Sequence, residues 1–160
     1  MTLRLAVAPV YVDSELGFVN AIGPSTGFGL GLAGGGFADG YNEIRGGTFY
    51  PSESFTGNGA EVSASLYHLF NPGELIPLNY VLRGSAHYSM YDRNSDTAGD
   101  FQLPNDHATF AVRTGLRWGG VEPTLFPPLA MELSAWYQGS FRTDAGTYGI
   151  NRADELQSQS

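Results

Sequence analysis

Residues 78–91 read Leu-Asn-Tyr-Val-Leu-Arg-Gly-Ser-Ala-His-Tyr-Ser-Met-Tyr. Leu78, Tyr80, Leu82, Ala86, Tyr88 and Met90 share one parity; Asn79, Arg83, Ser85, His87 and Ser89 share the other. That alternation puts apolar side chains on one side of a β-strand and polar ones on the opposite side. The run is 14 residues long. Strands of globular proteins are mostly about 5–6 residues, whereas a tilted strand crossing a bilayer needs about 9–11. Length and pattern together predict a membrane-crossing strand.

The pattern spreads outward in both directions. Period-2 runs cover residues 3–12, 26–37, 43–50, 60–70, 107–118 and 129–141, which makes seven with 78–91. No 3.6-residue stripe of useful length interrupts them. Composition agrees: 22 of 160 residues are Gly, 13% are aromatic and only 15% are charged. Glycine costs about 1 kcal/mol per helical position, so helices are disfavoured. No apolar run approaches the roughly 18 residues of a membrane-spanning helix. The net charge of −8 shows no basic face for nucleic acid, and all eight basic residues are Arg. Without Cys, disulfides and thiolate chemistry are excluded. The opening Met-Thr-Leu-Arg-Leu has no secretory pattern, so either a signal has been removed or the chain is an internal fragment.

The connections predict a topology. Residues 92–106 and the segment after 141 are long and polar; 38–42, 71–74 and 119–128 are turn-like, the last with three prolines. Outer-membrane barrels have long outer loops and short periplasmic turns. Odd-numbered runs are therefore expected to ascend and even-numbered runs to descend. Under that orientation Tyr50, Tyr88, Phe110 and Tyr137 fall near the outer ends of the apolar faces, and Phe70, Tyr80 and Trp118 near the periplasmic ends. Aromatic girdles at both rims with aliphatic residues between are what a bilayer imposes. The opposite face, pointing into the lumen, carries Glu43, Arg45, Glu61, Arg83, Arg113, Arg117 and Glu132. Charges so numerous would have to be paired in a dry core. In a wet lumen they form a cross-strand ladder of opposite signs that pins strand register.

Other motifs carry less. Gly29-Leu30-Gly31-Leu32-Ala33-Gly34 fits a dinucleotide fingerprint, but it sits inside an alternating strand with no helix after it. Small residues lining a crowded lumen face or a twisted strand are the better account. Gly23-Pro24-Ser25-Thr26-Gly27 fits a hydrolase elbow, yet a Gly-alternating strand follows where a helix is needed. His68, His87 and His107 share no ligand spacing. Asp92-Arg93-Asn94-Ser95-Asp96 begins like a calcium loop, but Thr97 and Leu103 stand where Gly and Glu are required. No cofactor, metal or catalytic residue is assigned.

The segment 25–34 resembles the Gly-rich opening strand of the surface-antigen, or outer-membrane assembly-factor, barrels. The turn 118–123 with the following Met131-Glu132-Leu133-Ser134-Ala135-Trp136-Tyr137 is similar to a hairpin of the same group. The resemblance spans residues 26–141 and implies a barrel of about 16 strands acting in protein insertion or export. The soluble periplasmic repeats and the arginine-bearing lid-loop motif of that group are absent, so no activity passes to any residue.

The sequence thus predicts an all-β, antiparallel, up-and-down transmembrane β-barrel, residues 1–160 being one barrel domain or a fragment of a larger barrel. Bacterial barrels have even strand numbers, so seven runs imply truncation. The expected location is the Gram-negative outer membrane, the expected partner the lipid bilayer. Lipopolysaccharide or a protein would meet the outer loops. Transport or outer-membrane assembly is the first functional reading. A small structural or adhesion barrel is the second, and a soluble β-sandwich or outer-membrane hydrolase the third.

Overall fold

The computed structural model describes residues 1–8, 10–36, 40–74, 76–119, 132–144, 146–150 and 154–155. Among them every regular element is a strand: β1 (Thr2–Ala8), β2 (Tyr11–Gly23), β3 (Thr26–Gly36), β4 (Tyr41–Arg45), β5 (Thr48–Leu69), β6 (Leu78–Asp92), β7 (Phe101–Gln102), β8 (His107–Gly119), β9 (Glu132–Arg142), β10 (Thr147–Ile150) and β11 (Asp154–Glu155). The main sheet has the order β1-β2-β3-β5-β6-β8-β9, with β4 paired to β5 alone. Every pair is antiparallel and consecutive spanning strands are neighbours, so the sheet is an up-and-down meander. It is open, with β1 and β9 at its edges. A smaller sheet, β11-β10-β7, is built from the segments at one end.

We call the end holding the 24–25 turn and residues 70–77 the near end. The end holding residues 93–106 is the far end. The register drifts steadily between them. Thr26, the first residue of β3, is level with His68, the last but one of β5. His68 is level with Tyr80, the third of β6, and Tyr80 with Leu116, the fourth from the end of β8. The strand ends thus shift by one residue per strand from β3 to β8. One step of about 3.3 Å along the strand for each 4.8 Å across corresponds to a tilt of roughly 35°.

Three sequence expectations are corrected here. The run 43–50 is not a crossing strand. Gly46 (φ 57°) and Gly47 (φ 81°) turn the chain back between Arg45 and Thr48. Consecutive positive φ values make the tight hairpin turn that only glycine accepts without strain. The run 3–12 is likewise cut, by the hairpin turn between Ala8 and Tyr11. Conversely β2, most of which falls between the expected runs 3–12 and 26–37, is a 13-residue strand of the main sheet. Its alternation is broken by Asn20, at φ 56°, where the β2–β3 register shifts. Gaining β2 and losing 43–50 keeps seven main-sheet strands but reverses β3, which runs upward. The connection that follows β3 therefore belongs to the far end, not beside 71–74.

β5 explains how one strand serves two structures. Residues 58–68 pair with β3 and 56–69 with β6, while 48–55 continue past the sheet and pair with β4. Of the expected turn and seventh run, residues 120–131 lie outside the described residues, as do 156–160.

Candidate functional site: the two faces of the sheet

The register sorts every spanning strand by parity. Leu5, Ser14, Leu32, Val62, Ala86, Phe110 and Phe141 form one continuous row across all seven strands. Leu3, Leu16, Leu30, Ala64, Gly84, Val112 and Gly139 form another on the same face. The intervening rows carry the polar residues. Gly17, Gly29, Ser65, Arg83, Arg113 and Gln138 are level across six strands. So are Asp13, Ala33, Glu61, His87, Thr109 and Arg142.

Burial runs opposite to that of a water-soluble sheet. Val62 is 54% exposed, Val112 53% and Leu32 62%, whereas Ser65 on the polar face is 6% exposed. Seven strands about 4.8 Å apart and about nine residues tall give an apolar surface on the order of 1,000 Å². The largest apolar patch of an ordinary monomer is about 300–600 Å². The only buried hydrophobic side chains among the described residues, Phe55 and Phe101, lie beyond the far end of this face.

The expected aromatic positions divide. Toward the near end, Trp118 is paired with Leu78, Tyr80 with His68, and Phe70 packs edge-on against the His68 ring at 4.8 Å. The Thr114 hydroxyl donates to the Tyr80 hydroxyl at 2.9 Å, so the phenol is satisfied on an apolar face. Toward the far end, Tyr88 and Phe110 lie in the upper rows with Phe141, which the sequence reading did not single out. Tyr137 is the middle residue of β9, level with Thr114, rather than at a rim. Tyr50 lies on the β4–β5 hairpin, where the Arg45 guanidinium sits 5.3 Å from its ring centre.

The expected charge ladder divides too. Arg83 bonds Glu61 at 3.1 Å and Arg117 bonds Glu132 at 2.9 Å, both pairs on the polar face. Arg113 stands directly opposite Arg83, a like-charge juxtaposition that is normally unfavourable. It turns its guanidinium over the Trp136 ring, 4.4 Å from the centre, with the ring laid flat over Gly115. A cation against an aromatic face gains without a carboxylate. Glu43 and Arg45 are not on this face. They pair at 2.8 Å on β4, and Arg45 also pairs with Glu53. Hydrogen bonds from Tyr41 and Arg45 hold the Glu43 carboxyl below its ordinary value, and the two carboxylates raise Arg45.

The sequence reading missed the acidic side of the polar face, because Asp13 and Glu15 lie on the missed β2. Tyr67 donates to Glu15 at 2.6 Å across Gly29, where a Cβ would stand 2.8 Å from the Glu15 oxygen. At Gly34 of the fingerprint-like run a Cβ would stand 2.9 Å from the Gly59 carbonyl oxygen, so close backbone approach accounts for that glycine without a nucleotide. At the far end, Asn94 Oδ1 accepts from the Asp96 and Thr97 amides, ordering the calcium-like loop by a side-chain turn. No group of three or more His, Asp or Glu side chains converges among the described residues. Comparison with family models, curated proteins and solved structures finds no match.

Proposed function

We propose that this chain forms the wall of a bacterial outer-membrane β-barrel, with the apolar face toward lipid and the polar face toward the lumen. The observation that carries the reading is the continuous exposed apolar face, to which all seven strands of the main sheet contribute. A water-soluble protein gains by covering such a face; a bilayer needs no cover. The roughly 35° tilt supports it, since membrane barrels tilt by about 35–45°. So does strand length: β2, β3, β5, β6, β8 and β9 each reach 11 residues or more. Lipid leaves no sheet edge unpaired. β1 and β9 run in the same direction, so antiparallel closure takes an odd number of further strands between them. The resemblance of residues 25–34 to the assembly-factor barrels favours transport or protein assembly over a purely structural role. No residue is given a catalytic part. Lipopolysaccharide or a protein partner would approach at the far end, which is the outer side on this reading.

Val112→Arg, in the middle of β8 on the apolar face, should cost about 2–4 kcal/mol of folding into lipid vesicles. Ala111→Arg, one residue away on the polar face, should cost much less. Equal losses, or folding of the native chain without lipid, would sink the assignment.

A further inference from the structure

We propose that the far-end segments form a plug that closes the outer mouth of the lumen; the proposal rests on the barrel reading above. The plug consists of the β4–β5 hairpin, residues 93–106 and β10. Its centre is Phe55, stacked on Tyr41 at 5.4 Å, edge-on to Tyr91 at 5.5 Å and 6.0 Å from Phe101. Tyr148 on β10 closes the cluster, 6.2 Å from Phe55 and 6.4 Å from Phe101.

Parity says which face this cluster covers. Phe55, Ser89, Tyr91 and His107 all belong to the polar face, because Gly57 is level with Tyr91 and Ser89 with His107. Ser89 and His107 are each only 3% exposed, and Tyr91 stacks on the His107 ring at 5.7 Å. Tyr88 and Met90, the neighbours on the apolar face, stay 47% and 41% exposed. The far-end segments thus fold inward over the polar face and leave the apolar face bare. A loop cluster that merely stood above the membrane would have no reason to choose one face.

The cluster is also tied down by backbone bonds. The Ser54 carbonyl accepts from Thr97 Oγ1 at 2.6 Å and from Asn94 Nδ2 at 3.3 Å. The Ala98 amide donates to the Ser52 carbonyl at 2.8 Å. Arg93 reaches back to the Ala98 and Phe101 carbonyls. These contacts bind residues 93–101 to the hairpin, and β7 then pairs with β10. A plug held this way rests closed and opens as a unit when the contacts break.

The test uses the absence of Cys from the chain. In the full-length protein in intact Gram-negative cells, Ser85→Cys places a thiol on the polar face below the plug. Ser95→Cys places one on the exposed outside of the plug. A bulky membrane-impermeant maleimide, added outside, should label Ser95→Cys quickly and Ser85→Cys slowly. Adding Phe101→Ala, or the milder Thr97→Ala, should speed Ser85→Cys labelling by about tenfold or more, as local opening becomes easier. Ser85→Cys labelling as fast as Ser95→Cys in the unaltered plug would overturn the proposal. So would slow labelling that neither plug variant changes. Failure of Ser95→Cys to label at all would instead count against the outer-membrane orientation on which the proposal rests.

Discussion

The sheet and the plug bury their aromatics in opposite ways. In the plug, Phe101 is 1% exposed and Phe55 5%, packed by rings from three separate segments. On the sheet, Tyr137 is 72% exposed and Phe141 65%, with no second layer over them among the described residues. The chemistry of the side chains is the same; the expected surroundings are not. The plug satisfies the rule for water, where apolar area gathers against itself. The sheet would suit the rule for lipid proposed above, where backbone groups must pair and apolar side chains need no company. On the proposed barrel reading, one chain meets two solvents, which would account for the few buried apolar side chains among the described residues.

The largest expected break in this contrast is at Phe101. Phe101→Ala removes a ring from the plug centre, and core Phe→Ala changes cost about 3–5 kcal/mol. The loss should stay local. Amide exchange in residues 93–101 should speed up strongly while β5, β6 and β8 keep their protection in lipid. Loss of protection across both regions would mean that sheet and plug fold as one unit.

A smaller effect is expected within the sheet, on its polar side. A Cβ at Gly115 would stand 2.3 Å from the Ala135 carbonyl oxygen and 2.5 Å from the Trp136 ring. Gly115→Val should therefore cost about 1–3 kcal/mol by overpacking, read from denaturation of the lipid-folded protein. Gly84→Val, where nothing lies within 4 Å of the added Cβ, is the control and should be nearly neutral. If both are neutral, the polar face is looser than a packed surface.

Much of this sheet was legible, and the errors have physical causes. Residues 60–70, 78–91 and 107–118 alternate over most of their length, and the structure has strands at all three. Parity alone put Arg83, Arg113 and Arg117 opposite Leu82, Val112 and Leu116. The hairpin at 46–47 was hidden because the alternation of 43–50 reads as one strand, although the turn sets Arg45 level with Thr48 and Glu43 with Tyr50 and so reverses the parity; only the Gly46-Gly47 pair marks it. β2 was hidden for the opposite reason: Asn20 shifts its register and spoils an otherwise regular strand. The plug could not be read at all. Phe55, Tyr91, Phe101 and Tyr148 are far apart in sequence, and nothing local marks them as partners. The partner of Arg113 was equally hidden, since a ring on the next strand competes with a carboxylate only once the register is known.

That register gives the next prediction. Arg83 and Glu61 are partly exposed and 3.1 Å apart, so their coupling should be small, about 0.2–1 kcal/mol. A double-mutant cycle with Arg83→Glu and Glu61→Arg should recover part of the loss from either change alone. Arg113→Glu should not be recovered by Glu61→Arg, because Arg113 rests on Trp136. Recovery there would restore the continuous ladder expected from sequence.

The smallest effect separates sheet from plug by pH. Glu43 accepts hydrogen bonds from Tyr41 and Arg45 on the hairpin that frames the plug. These bonds favour the carboxylate and hold its pKa below the ordinary 4.5. A carboxyl depressed in the folded state adds stability above its unfolded value and loses it as pH falls through the folded value. The hairpin should therefore be unaffected from neutral pH down to about 4.5 and loosen only below it. Glu43 is half-buried but its partner Arg45 is exposed, so salt screening keeps the change slight. Limited proteolysis at residues 46–47 with an acid-tolerant protease would follow it, with Glu43→Gln as the comparison. The native hairpin should become more cleavable below that pH, and Glu43→Gln should be cleaved nearly alike on both sides of it. An equal acid response in Glu43→Gln would place the titrating group elsewhere, with Glu53, the other carboxylate paired to Arg45, the next to replace.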